Sequence, residues 1–233
     1  MEPEVQIQPH PLSAKIPDFA EWSTNITENT EICLVQPQQG DGTPGEVFHN
    51  HTFNPEFTYP IFGDHETVFG YKDLALTISF ASGSLRAFVQ VNHTEQYEDT
   101  LDIKKDDILN TLNEFLPKDN PKTKAEFVDT VYKDFETFKP IGEKIKEYEK
   151  GDSLFEIYKC DFTNDKFKEY YQRMQVFALF FIEGSSYIDV DDEKWEIYTV
   201  FQFKKETDSY DFIGYCNAYP FYCWPENIRM RIR

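Results

Sequence analysis

Between Glu183 and Trp195 the chain places Glu183, Asp189, Asp191, Asp192 and Glu193 within reach of one indole, that of Trp195. Clustered carboxylates draw cations, and an aromatic face beside them packs on the stem or ammonium of a lysine. A carboxylate in hydrogen-bond reach of that ammonium, directly or through one water, can take its proton before the amine attacks an acyl carbon. Glu183 closes the apolar stretch Val176 to Ile182, where burial would hold a carboxylate ready for such a transfer. Plainer readings stand beside these. Glu183 is also what a helix end carries, the acidic run is also what a solvated turn carries, and Trp195 is also what a core takes.

Other reactive residue types point nowhere in particular. His49-Asn-His51 has the look of a metal pair, but no Cys or further His accompanies it, so a surface loop is expected and no metal. Ser185 and Ser186 have no His nearby to activate them. Cys33, Cys160, Cys216 and Cys223 form no C-x-x-C pair, which fits free thiols in a reducing compartment. Cys216 and Cys223, in or beside strand-like sequence, read as packed thiols.

The elements that must position the acidic block are legible around it. Leu154 to Phe162 reads as a strand. Asn164 or Asp165 then caps a long helix whose inner stripe is Phe167, Tyr171, Met174, Ala178 and Phe181. Trp195 to Phe203 is a strand, Lys204 to Ser209 a turn and Asp211 to Tyr219 its hairpin partner, with a further strand beginning near Ile228. Upstream, Leu74 to Phe80 and Leu85 to Val91 form a hairpin about Ser82-Gly83-Ser84. A helix starts at Asp106 and Asp107, and another is capped by Thr123 with Phe127, Val131 and Phe135 on one side.

Residues 1–55 read as a mostly irregular tail with a short helix near Pro17–Trp22, a short strand around Glu31–Val35 and a loop from Pro37 to Gly45. The charged segment Lys146 to Asp152 reads as a link. The expectation is an α/β amino-terminal domain over 56–148 and a second domain over 149–233. The fold class is α+β.

Composition sets the partner class. The 233 residues carry 23 basic and 42 acidic side chains, a net charge of −19. Such a field repels nucleic acid and anionic membrane and attracts basic partners, although acidity also serves solubility alone. Hydrophobic residues make up 40% and aromatics 17%, enough to fill a core, which excludes a disordered chain. The amino terminus has neither a basic flank nor an apolar h-region, and Val176 to Ile182 is too short to cross a bilayer. Cytosol or nucleus is the expected compartment.

Several blocks, in order, resemble one family. They are Phe62 to Lys72 (FGDHETVFGYK), Phe155 to Lys159 (FEIYK), Phe167 to Tyr170 (FKEY), Phe180 to Glu183 (FFIE), Ser186 to Trp195 (SYIDVDDEKW) and Gly214-Tyr215. Together they resemble the type B histone acetyltransferase catalytic subunits, over about residues 16–233. The resemblance implies the front half of a GNAT-type N-acetyltransferase fold, in which the next element would be a glycine-rich cofactor loop. It implies transfer of an acetyl group from acetyl-CoA to lysines in the tail of newly synthesised histone four, with no covalent enzyme intermediate. Glu183 aligns with an active-site glutamate. Asp64, His65 and Glu66 align with a loop that contacts the tail, and Trp195 with a substrate-contacting tryptophan. Tyr219, Pro220 and Phe221 align with a further tail-binding stretch, where the family usually has Asn-Tyr in the last two places. The implied partner is a histone-binding WD-repeat chaperone, and the implied compartments are nucleus and cytoplasm. No Q/R-x-x-G-x-G/A loop occurs within residues 1–233, so these residues alone are expected to be inactive. The alternative is a non-catalytic acidic module that binds a histone tail or a chaperone.

Overall fold

The computed structural model describes residues 12–13, 15–16, 18–38, 47–225 and 227–232. In chain order they form α1 (Phe19–Trp22), β1 (Ser23–Asn25), β2 (Thr30–Pro37), β3 (Val47–Phe53), α2 (Tyr59–Phe62), β4 (Thr67–Phe69), β5 (Tyr71–Lys72), β6 (Ala75–Ala81), β7 (Ala87–Asn92) and β8 (Glu95–Gln96). There follow α3 (Ile108–Asn113), α4 (Lys124–Thr137), β9 (Glu143–Lys150), β10 (Ser153–Cys160), α5 (Asp165–Met174), α6 (Val176–Phe181), β11 (Glu196–Lys204), β12 (Ser209–Cys223) and β13 (Asn227–Ile232). Two larger sheets carry the fold, ordered β3-β2-β6-β7 and β13-β12-β11-β10-β9. The class is α+β.

Local chemistry sets the helix starts where the sequence places them. The Asp107 side chain accepts from the Asn110 N–H. Thr123 and Glu126 form a reciprocal capping box at α4. Asn164 accepts from the Lys166 and Phe167 N–H groups at α5. The expected hairpin is β6–β7, paired from Ala75↔Asn92 to Phe80↔Ala87.

Three readings change. Residues before 55 hold not one short strand but β1, β2 and β3, and β2 lies inside the first sheet between β3 and β6. The loop expected over Pro37 to Gly45 falls mostly outside the described residues. The charged link is β9, antiparallel to β10 through a turn at Gly151, so residues 148 and 149 both lie in one strand. All eight β9 residues are exposed, because this is an edge strand. Lysine and glutamate there keep its free edge from pairing with other chains. The helical stripe also shifts at Gln175. Phe167, Tyr170, Tyr171 and Met174 are buried on α5, but Val176, Leu179 and Phe180 take over on α6, leaving Ala178 and Phe181 only half-buried.

One hydrophobic core runs through both sheets, from Ile26, Ile32 and Phe80 to Phe162, Phe167, Tyr171, Phe180 and Phe201. A buried polar cluster also joins them. Asp211 of β12, with no exposed surface, receives the Ser82 hydroxyl at 2.7 Å, the Gln36 side-chain amide, and Lys204 Nζ at 2.7 Å. Lys204 Nζ also donates to Gln36 Oε1 at 2.9 Å. The Phe212 N–H donates to the Ser82 carbonyl at 2.7 Å, and the Tyr170 hydroxyl to the Gly83 carbonyl at 2.9 Å. A Cβ at Gly83 would come within 2.7 Å of the Phe138 ring, so only glycine lets the β6–β7 turn seat there. The turn that the sequence marks as a simple reversal is thus the point where the two sheets are joined.

Candidate functional site

The structure gathers the expected site residues into two groups. The first surrounds the end of α6. The Phe180 carbonyl accepts the Glu56 and Phe57 N–H groups at 2.9 and 3.1 Å. The Gly184 N–H donates to the Tyr59 hydroxyl at 2.6 Å. Those bonds hang the segment carrying α2 and residues 63–66 on the turn that carries Glu183. Glu183 itself is exposed in that turn. The burial expected at the end of the apolar stretch is absent, because the chain leaves the core at Ile182, which is 45% exposed.

Within the Asp64-His65-Glu66 loop the three residues do different work. Asp64 is exposed and His65 half-buried. Glu66, at φ 48°, folds back on its own loop. Its Oε1 accepts the Thr58 N–H at 2.6 Å and the Tyr59 N–H at 3.0 Å. It thus caps the start of α2, whose Thr58 side chain makes no cap bond. Glu66 is first a brace, and Asp64 is the carboxylate of the loop that faces water.

The second group lies across the start of β11 and the far part of β12. The Trp195 and Tyr219 rings are 4.6 Å apart at 55°. The Tyr219 hydroxyl donates to Asp192 Oδ2 at 2.8 Å. Asp192 Oδ1 accepts the Lys194 N–H at 3.0 Å, and the Trp195 N–H donates to the Asp192 carbonyl at 3.3 Å. Trp195 is half-buried, with one side packed on the core. Pro220 is half-buried and pairs across to Met230, while Phe221 is exposed beneath the Arg231 guanidinium, 5.7 Å from the ring.

The rest of the acidic run is partly spent on itself. Asp189 accepts the Asp191 N–H at 2.9 Å, and Lys168 pairs with Asp191 at 3.1 Å. Asp192 is the member tied to the aromatic pair. The sequence singles out the acidic run without indicating which of its members meets Tyr219. The signal was present in the strand order, since a β11–β12 hairpin with Glu196↔Ala218 in register must place Trp195 opposite Tyr219.

The Lys194 N–H and the Tyr219 hydroxyl hold the Asp192 carboxyl below its ordinary value, and that carboxylate raises the Tyr219 hydroxyl in turn. A carboxyl depressed by folding lends stability above its unfolded value and loses it as pH falls through the folded one. The cluster is therefore expected to keep its charge through the neutral range and to lose it only in acid. In Tyr219→Phe the Asp192 midpoint should move part of the way up, since the backbone bond remains. A carboxyl-carbon NMR titration reads this directly, and an unmoved midpoint would show that the hydroxyl bond does not form in solution.

No group of Cys, His, Asp and Glu capable of holding a metal occurs among the described residues. No disulfide joins the four cysteines, and burial pushes the Cys160 thiol up to about 12. Cys33 and Cys160 are fully buried, whereas Cys216 and Cys223 are half-buried. No described helix is long and apolar enough to cross a membrane.

Comparison with known proteins gives a consistent result. The family model described as histone acetyl transferase HAT1 N-terminus matches residues 22–183. The histone acetyltransferase type B catalytic subunit of Cryptococcus neoformans var. neoformans serotype D (strain JEC21 / ATCC MYA-565) is 39% identical over 91% of this chain and 58% of its own. That of Mycosarcoma maydis is 35% identical over 91% of this chain and 52% of its own. The Homo sapiens protein is 32% identical over 92% of this chain and 52% of its own. The chain thus spans about half the length of the curated relatives it matches.

Proposed function

Because the chain belongs to the family described as histone acetyl transferase HAT1 N-terminus, we propose that residues 1–233 supply the tail-binding face of a type B histone lysine acetyltransferase. The substrate is the lysine-bearing tail of newly synthesised histone four, and acetyl-CoA is the acyl donor. The observation that carries this reading is the cluster of Asp192, Trp195 and Tyr219. A fixed carboxylate beside two ring faces suits a lysine ammonium on an aliphatic stem. Asp64 and Glu183, on the turn and loop joined by the Tyr59–Gly184 bond, add negative charge along the path of a basic peptide.

The order β10, α5–α6, β11, β12, β13 supports a GNAT-type arrangement. That fold holds the acyl donor's pyrophosphate on backbone N–H groups of a glycine-rich turn at a helix start. No Q/R-x-x-G-x-G/A sequence occurs in residues 1–233. Gly40-Asp-Gly42 is the nearest sequence match and lies outside the described residues. We therefore place the pyrophosphate cradle outside residues 1–233 and expect these residues alone not to turn over acetyl-CoA. The alternative reading, a non-catalytic binding module, is favoured by one fact: the Asp192–Trp195–Tyr219 cluster is complete without that cradle. A WD-repeat histone-binding chaperone is the proposed protein partner, and nucleus and cytoplasm the proposed compartments.

The test is binding of a fluorescent histone-four tail peptide to this chain. Affinity is expected to fall as salt rises and to fall again when the peptide lysines are acetylated, because both weaken the charge attraction. Indifference to both would remove the acidic face as the binding surface. Trp195→Ala should weaken binding by about 0.5–2 kcal/mol while leaving a cooperative melt. Loss of that melt would assign Trp195 to the core alone.

A further inference from the structure

Away from the acidic face, β7 forms the outer edge of the first sheet. Its backbone direction can be read from two bonds. The Ala81 N–H donates to the Arg86 carbonyl, and the Ala87 N–H donates outward to Asn120 Oδ1 at 2.9 Å. Antiparallel pairs alternate along a strand, so Arg86, Phe88 and Gln90 turn their peptide groups to β6, while Ala87 and Val89 turn theirs outward. Beside this edge runs a groove of about 450 Å³, lined by Val89, Leu109, Leu116, Pro117, Asn120 and their neighbours. Leu109 of α3 is 47% exposed there. The outer wall, residues 117–122, is braced rather than loose. Asp119 pairs with Arg86 at 3.2 Å and with Arg173 at 2.9 Å.

Two features identify the occupant. The Lys118 and Lys122 ammonium groups are exposed at the groove and form no ion pair among the described residues, the Lys122 N–H alone meeting a carboxylate, that of Glu126 at 2.9 Å, in a chain whose acidic side chains outnumber its basic ones 42 to 23. Asn120 spends Oδ1 on Ala87 and leaves Nδ2 buried with no acceptor. Beyond Ala87, whose N–H is taken by Asn120, the edge at Val89 offers backbone bonds to an extended segment, the apolar floor takes alternate side chains, and the exposed lysines call for oxygen acceptors. We propose that this groove docks an extended acidic peptide segment of a partner protein, added as a further strand on β7. The site is chemically opposite to the basic-tail face and independent of it.

The experiment is a selection of random heptapeptides displayed on phage against the full 233-residue chain. Enriched peptides are expected to alternate β-branched residues with Asp or Glu. Synthetic versions should protect the Val89 amide from hydrogen exchange. Two variants test the contacts separately. Val89→Pro removes an outward N–H but leaves the bonds to β6, which an edge strand tolerates. The double variant Lys118→Glu with Lys122→Glu reverses the rim charge. Each should weaken binding at least about tenfold while the thermal melt stays cooperative. If Val89→Pro loses its cooperative melt, protection of the Val89 amide in the unsubstituted chain decides alone. Selected peptides that lack acidic residues, or bind both variants unchanged, would overturn the proposal. So would a concentration-dependent dimer abolished by Val89→Pro, which would make a second copy the occupant.

Discussion

Asp211→Ala is expected to unfold this chain at markedly lower denaturant, with a loss of about 3 kcal/mol. Removing one partner of a buried ion pair generally costs about 3–5 kcal/mol, because the other charge is left without compensation. Here the lower end applies, since Lys204 is 27% exposed in side-chain area and can reach water when its carboxylate is gone. Gln36 and Ser82 would also lose their shared acceptor. Urea titration should show a shifted midpoint with an unchanged slope, because the surface exposed on unfolding is the same. Two separate transitions would show instead that the sheets unfold independently and that the cluster does not couple them. The double change Asp211→Leu with Lys204→Met should recover much of the loss, as a buried pair replaced by apolar side chains of similar size is often neutral.

Glu183→Gln is the second large expectation, and it concerns a protein carrying these residues together with a cofactor loop. Turnover should fall roughly a hundredfold, at the low end of what a positioned proton acceptor contributes. Peptide affinity should change far less, because the lost contact acts in the transition state. The loss should shrink as pH climbs toward the lysine's unperturbed value of about 10.4, where more substrate is already neutral. Exposure of Glu183 gives this prediction its form. Glu183 is exposed, so the proton is expected to pass through a water or after peptide binding covers the turn. A rate unchanged across the pH range would leave Glu183 only as part of the turn whose Gly184 N–H anchors Tyr59.

Local chemistry was readable and distant chemistry was not. The β6–β7 hairpin follows from alternation over a few residues, and the helix starts at Asp107, Thr123 and Asn164 follow from a side chain reaching two or three positions ahead. By contrast β9 carries no apolar rhythm, because an edge strand exposed along its whole length needs none. The stretch of β3 hid a strand because its place is fixed by pairing with β2. The stripe on α5 and α6 was right until Gln175, where a small change of winding moved the inner face by two positions. Among the site residues, Trp195 and Tyr219 came from motif resemblance, and their contact follows from strand register. The role of Glu66 did not follow from either, because the donors it satisfies belong to residues eight and seven positions away across a loop. The Gln36–Asp211 contact spans 175 positions, and nothing in either neighbourhood announces the other.

That contact has a consequence for recognition. Ser82 and Gln36 bond to Asp211 and Lys204 and so join the sheet beside the Asp64 loop to the sheet that carries Trp195 and Tyr219, which would hold the two groups at a set separation. A peptide that reaches both is then tethered at two points whose separation does not adjust. If the proposed tail binding holds, a second lysine would meet its site at a high effective concentration once the first is seated, and only where the intervening chain has the right reach. The frame acts as a ruler: inserting glycines between two tail lysines should reduce avidity stepwise, while either lysine alone binds as before.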